Sequence, residues 1–231
     1  GTLYTISTPI GNLSDISFRS IEVLKKIDYL ICEDTRVTKK LLNHYDIKIN
    51  LLSYNVFNEN KLTEKYIKYL TDGKDMGLVS DAGTPCISDP GYKLVYACIK
   101  ANIEVKTVPG PSSIISSLVV SGLPTNSFYF VGFLPKKVGA RRSLYSNLNK
   151  LNTTIILMES PKRLLSLLEE LNLFFGNLEI AVVREQTKLY EEVIRGKVIE
   201  VIKKLEKRTK IIGEIIVILY TSFEENKDIL S

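Results

Sequence analysis

Apolar residues along the chain keep two rhythms in alternation: short unbroken runs, and longer stretches in which they recur every three or four positions. The runs at 2–7, 29–32, 51–54, 76–80 and 104–108 predict strands. Between them, 17–27, the segment carrying Val37, Leu41 and Leu42, 62–70 and 92–100 predict helices. Phe18, Ile21 and Leu24 form the expected inward face of the first helix. A short helix is expected at 114–120, and Gly122-Leu123-Pro124 reads as a boundary. Further strands follow at 128–131, 154–158, 179–183 and 215–220, with helices at 164–172 and 198–207. The alternation predicts an α/β chain of two domains, 1–122 and 123–231, the first built on a mostly parallel sheet. Such sheets bind ligands beyond the carboxyl ends of their strands, where this chain places its most distinctive residues.

Charge adds a second division. Of 31 basic and 26 acidic residues, 14 and 13 lie in 1–122 and the remainder in 123–231, so most of the net +5 belongs to the second part. No Asp or Glu occurs between Glu104 and Glu159, whereas Lys106, Lys136, Lys137, Arg141, Arg142 and Lys150 all fall in that interval. The longest uncharged run, 107–135, is interrupted by proline and glycine and studded with serine, so it is no membrane span. Three cysteines without CxxC spacing, and no leader-like opening, set the expectation of a reducing cytosol. A single histidine, His44, leaves no His-rich metal site, and no metal is expected; it reads as a surface helix residue. Neither GxGxxG nor GxxxxGK[ST] is present, which argues against an ordinary dinucleotide enzyme or a P-loop NTPase.

Four clusters carry candidate chemistry. Asp81-Ala82-Gly83-Thr84-Pro85 follows a strand and continues into Ile87-Ser88-Asp89-Pro90-Gly91, a turn-rich loop with a carboxylate, a hydroxyl and a glycine that admits close approach. Pro109-Gly110-Pro111-Ser112-Ser113 has the same placement, and its serines can cap the next helix or meet a ligand there. Glu33-Asp34-Thr35-Arg36 reads either as a surface ion pair or as a group that orients a substrate. Lys136, Lys137, Arg141 and Arg142 follow Phe128-Tyr129-Phe130 and Phe133, reading as a basic loop beside aromatics suited to single-stranded RNA, or as an ordinary solvated loop.

Taken together with Thr8-Pro9-Ile10-Gly11-Asn12-Leu13, Gly132-Phe133-Leu134-Pro135, Glu159-Ser160-Pro161 with Arg163, Arg184-Glu185 with Thr187-Lys188, and Gly213-Glu214, these motifs occur in a family's order. The chain resembles the bacterial 16S ribosomal RNA ribose 2′-O-methyltransferases of the tetrapyrrole methylase superfamily, the class III S-adenosylmethionine enzymes. That resemblance implies two α/β domains with a cofactor cleft between them and a homodimer; with the cysteine and uncharged-run readings above, the expected setting is cytoplasmic, with no membrane. It implies S-adenosylmethionine as cofactor, held by Ile10, Asp81, Gly83, Thr84, Ile87, Ser112, Ser113, Met158, Val183 and Glu214. The implied reaction is methylation of a cytidine 2′-hydroxyl in 16S ribosomal RNA or the small ribosomal subunit. Asp34 and Glu33 are then base candidates, Arg36 an orienting group and Asn12 a ribose contact, with Lys136, Lys137, Arg141 and Arg142 on the RNA.

The chain departs from the family pattern at Asn55 and Phe57, where histidines are expected, and at Met158, Lys162 and Gln186. Two other readings stand beside the RNA enzyme: a tetrapyrrole C-methyltransferase on the same fold, and a non-catalytic RNA-binding protein of ribosome assembly.

Overall fold

The computed structural model describes residues 1–221, in two compact units that divide between Ser112 and Ser113. In the first unit the strands are β1 (Leu3–Ile6), β2 (Tyr29–Cys32), β3 (Asn50–Ser53), β4 (Met76–Val79) and β5 (Val105–Val108). They form one sheet in the order β3-β2-β4-β1-β5, with every pair parallel. The crossovers are α1 (Phe18–Leu24), α2 (Thr35–His44), α3 (Glu59–Thr71) and α4 (Tyr92–Lys100).

Successive side chains of a strand point to opposite faces, so each unbroken apolar run feeds two cores. Leu3, Ile31, Met76 and Leu78 pack with Tyr66 and Leu70 of α3 and Leu94 and Cys98 of α4. Ile6, Leu30 and Val79 pack on the other face with Leu24 of α1 and Leu42 of α2. Because all five strands run the same way, the loops leaving them emerge on one edge of the sheet.

The second unit holds α5 (Ser113–Ser121), β6 (Phe128–Phe133), α6 (Val138–Leu148), β7 (Thr154–Glu159), α7 (Leu164–Phe175), β8 (Glu179–Arg184), β9 (Glu192–Lys197), α8 (Val198–Glu206) and β10 (Ile215–Tyr220). Its sheet has the order β6-β7-β10-β8-β9, and only β6 and β7 are parallel. One face, with Leu157, Val182 and Val217, packs on Leu164 and Leu168 of α7 and Val201 of α8. The other, with Ile156, Ala181, Val183, Ile216 and Ile218, packs on Leu118 of α5.

The packing of Leu118 moves the expected boundary. The expected domain 1–122 includes α5, yet α5 belongs to the second unit: Leu118 sits in that unit's core, and the Arg195 Nε donates to the carbonyls of Val120 and Ser121 at 3.0 and 3.2 Å. Phe18 also departs from expectation. It is 89% exposed at the first position of α1, whereas Leu24 of the expected face is buried, Ile21 packs against the same core, and Ser20 is buried as well.

The basic segment read as a loop is largely helix. Arg141, Tyr145 and Leu148 of α6 fall at helical spacing on the inward side, and Gly139 had weakened that signal. β9 was not expected at all, because only Ile194 of its six residues is buried, as befits an edge strand with one polar face.

α6 is held by a half-buried carboxylate, that of Glu170 on α7. The Arg141 Nε and Nη2 donate to Glu170 at 2.9 and 2.7 Å, and the Tyr145 hydroxyl donates to it at 3.0 Å. Burial, then Glu170, keeps the Tyr145 phenol protonated by raising its pKa. Among the described residues no helix is long and apolar enough to cross a membrane. Replacing Glu170 with Ala is expected to destabilise the chain by about 1–3 kcal/mol, and Gln by less, because a charged and a hydroxyl donor lose their acceptor. Urea unfolding of the two variants measures this.

Candidate functional site

The first unit's candidates gather at the carboxyl edge of its sheet. Ser7 and Thr8 leave β1 as the last buried residues of its run, and Thr8 exchanges backbone hydrogen bonds with Gly83, Thr8 N to Gly83 O at 2.9 Å and Gly83 N to Thr8 O at 3.0 Å. This bridge joins the loops leaving adjacent strands β1 and β4. Gly83 has φ +80° and lies over buried Ile10, whose Cγ2 would be 3.3 Å from any added Cβ. The Thr84 hydroxyl lies 3.1 Å from the Ser7 hydroxyl and donates to the Pro111 carbonyl at 3.2 Å, which brings the loop after β5 into the same group. Ser112 closes that loop, and Ser113 opens α5 in the other unit.

The rest of the β4 loop turns sharply. Cys86 and Ser88 take positive φ, and Gly91 has φ +136°, where a Cβ would fall 2.6 Å from the Cys86 Sγ and 2.8 Å from Leu78. Only glycine fits there. Ile87 is displayed outward, 46% exposed.

Glu33 and Asp34 follow β2, and the Asp34 N–H donates to Asp81 at 3.0 Å, tying the β2 loop to the β4 loop. Asp34 caps α2 through the Arg36 N–H at 2.8 Å and takes the Arg36 guanidinium on both oxygens. Those bonds hold the Asp34 carboxyl down at about 2, so it is ionised and a feeble base. The ion-pair reading of Asp34 and Arg36 is therefore the one the geometry realises.

Glu33 differs: burial, followed by the charges of Asp81, Asp89 and Asp34, raises its pKa. Burial likewise raises Asp81 and Asp89. Asn12 is exposed and caps the turn after it, accepting from the Ser14 N–H at 3.1 Å; none of its described bonds reaches the carboxylates.

In the second unit, Met158 and Val183 stand in one row across β7, β10 and β8, on either side of Ile216, on the face that α5 covers. Glu214 begins the approach to β10, its N–H donating to Glu185 at 2.9 Å and its carboxylate 3.3 Å from the Lys188 ammonium.

Lys136, Lys137 and Arg142 are exposed. Arg141 is not available in the same way, since its guanidinium is occupied by Glu170 and by the carbonyls of Pro135 and Lys136. Among the described residues no group of His, Cys, Asp and Glu could hold a metal ion. Sequence reasoning missed Ser7, Asp89 and the buried Glu159 as site residues; a polar residue closing an apolar strand was the available signal for the first and last.

Residues 2–202 match the family model of tetrapyrrole (corrin/porphyrin) methylases, and the chain belongs to that family. It is 48% identical over 219 residues to the ribosomal RNA small subunit methyltransferase I of Hydrogenobaculum sp., covering 94% of each chain. To the protein of the same name from Thermotoga maritima it is also 48% identical, over 95% of this chain and 98% of the relative. In fold it is similar to uroporphyrin-III-C-methyltransferase from Thermus thermophilus, with TM-score 0.64, 18% identity and coverage of 96% and 94%. Diphthine synthase aligns with TM-score 0.72 and 11% identity over 97% and 93%.

S-adenosylmethionine is the cofactor. The first unit's edge fits such a group on its own chemistry. Glu33, Asp34, Asp81 and Asp89 face one another there, and Arg36 is already held by Asp34. An acceptor-rich, acidic edge favours a cation bearing hydroxyl and amino donors and opposes a phosphate, consistent with the missing phosphate-binding motifs.

The acidic edge carries a stability cost with a definite sign. A carboxyl whose pKa is higher in the folded chain contributes most in acid, and the contribution is lost as pH rises through the raised value. Asp89→Asn is therefore expected to be more stable than the parent at pH 7, with the gain shrinking toward pH 4, and to bind S-adenosylmethionine more weakly. Thermal unfolding at the two pH values and calorimetry measure both effects; a variant less stable at pH 7 contradicts the account.

Proposed function

We propose that the chain transfers one methyl group from S-adenosylmethionine to the 2′-hydroxyl of a cytidine in 16S ribosomal RNA, free or within the small subunit, as a cytoplasmic homodimer. The observation that carries the RNA reading lies in the second unit. Phe128, Tyr129 and Phe133 are 40%, 49% and 59% exposed on the edge strand β6, and Lys136, Lys137 and Arg142 follow within an acid-free stretch. Exposed aromatics beside cations stack unpaired bases and meet phosphates. Relatives 48% identical over nearly the whole chain bear the name of a ribosomal RNA methyltransferase.

When bound, S-adenosylmethionine supplies an electrophilic methyl group on a sulfonium. This chain's residues then align the attacking oxygen, exclude water and take up a proton. Of the two base candidates the geometry favours Glu33: its raised pKa makes it the better acceptor, whereas Arg36 holds Asp34 ionised and weakly basic. Arg36, its side chain 87% exposed, supplies a charge at the rim of this edge, and Asn12 offers an amide to a ribose. Ile10, Asp81, Gly83, Thr84, Ile87, Ser112, Ser113, Met158, Val183 and Glu214 are the proposed cofactor contacts.

Labelled-methyl transfer assays on small subunits, free 16S RNA and a porphyrinogen test the reading. Label is expected in RNA and absent when the target ribose is 2′-deoxy. Label only in the tetrapyrrole, or no binding of S-adenosylmethionine, overturns it. Lys137→Ala with Arg142→Ala is expected to flatten the salt dependence of RNA binding by about 0.7 in log–log slope for each phosphate that is no longer neutralised, with cofactor affinity unchanged.

A further inference from the structure

A pocket of about 120 Å³ opens in the second unit where the segment linking β6 to α6 meets the first turns of α7. It lies on the side of the sheet away from α5, so Met158 and Val183 face the other way. Leu134, Pro135 and Leu167 give it apolar walls, and Ser166 stands on its rim.

Its polar lining is unusual. Glu159, with 5% of its side chain exposed, closes β7 and lines the pocket, and its described donors all converge on one oxygen. The Ser160 N–H reaches Oε1 at 2.6 Å, and the Arg163 Nε and Nη2 reach it at 2.7 and 2.6 Å. Oε2 is the acceptor left for a guest. Arg141 and Glu170 satisfy each other at the far wall, while Lys136 takes part in none of the ion pairs described.

These charges select the chemistry of a guest. A phosphate inside would face the buried Glu159 carboxylate; a cation would face Arg163 and Lys136. A neutral planar ring with an N–H donor satisfies Oε2 and the apolar walls, and an anionic group trailing from it meets Lys136 and the exposed cations beyond. A nucleotide has both features.

We propose that this pocket is a subsite for one unstacked nucleotide of the RNA substrate, its base bearing an exocyclic amino group that donates to Glu159 and its phosphate lying on Lys136. The subsite rests on the RNA reading above, and the test keeps the two apart. The whole protein is titrated with cytidine 5′-monophosphate and uridine 5′-monophosphate, and RNA methylation is measured in parallel.

The cytidine nucleotide is expected to bind about five- to tenfold more tightly than the uridine nucleotide, the size of one well-placed base contact. Glu159→Gln should erase that preference. Ser166→Phe, at an exposed helix position, should plug the pocket without disturbing any charge, abolishing nucleotide binding and raising the KM for RNA about fivefold while kcat and S-adenosylmethionine affinity hold.

Equal binding of the two nucleotides, or no binding by a protein that methylates RNA, overturns the subsite and leaves the enzyme reading intact. Loss of nucleotide binding in Ser166→Phe with RNA KM unchanged makes it a site for free nucleotides and also overturns it. A protein that binds the cytidine nucleotide selectively yet methylates no RNA supports the pocket and defeats the enzyme reading.

Discussion

Two backbone hydrogen bonds between Thr8 and Gly83 hold together the chemistry of the first unit. In a parallel sheet the loops beyond the carboxyl ends have no ladder to continue, and each would be free to move on its own. Here the loops after β1 and β4 pair with each other, Thr84 reaches the loop after β5, and Asp81 receives the N–H of Asp34 after β2. Segments far apart in the chain thus form one rigid edge. Gly83 and Gly91 take backbone angles that a side chain would strain; at Gly91 neighbours occupy the space of the missing Cβ, and at Gly83 Ile10 would crowd it.

That rigidity is what allows like charges to stay close. Glu33, Asp81 and Asp89 each have a raised pKa, with burial as the largest cause and neighbouring carboxylates adding to it. A flexible edge would relax by swinging the carboxylates apart into water. Held in place, they keep a negative potential that favours a cationic cofactor, and the same restraint separates Asp34, spent on Arg36, from Glu33.

In the second unit two carboxylates, buried Glu159 and half-buried Glu170, sort the cations. Glu170 claims Arg141 and Glu159 claims Arg163, so these arginines orient α6 and the start of α7. Lys136, Lys137 and Arg142 are left outward, in the segment that follows the exposed aromatics of β6. A charge count along the chain treats all of these residues alike; their partners make them different.

Most of the element order could be read from the alternation of apolar runs and helical spacing, because strands buried on both faces and amphipathic helices leave local signatures. Tyr29–Cys32, Tyr92–Lys100 and Ile215–Tyr220 fall where those signatures put them. β9 escaped because an edge strand needs only one buried residue, and α6 because its inward stripe mixes an arginine with a tyrosine. The motif set, too, was legible, since short runs such as Asp81-Ala82-Gly83-Thr84-Pro85 are local. The chain by itself therefore determined the family, the α/β class and which loops carry the chemistry. Only the tertiary structure decided that α5 belongs with the second sheet, that Arg141 is occupied and that Glu159 lines a pocket. Each of these depends on groups distant in sequence meeting at a hydrogen bond or in a core, and no local pattern encodes such a meeting.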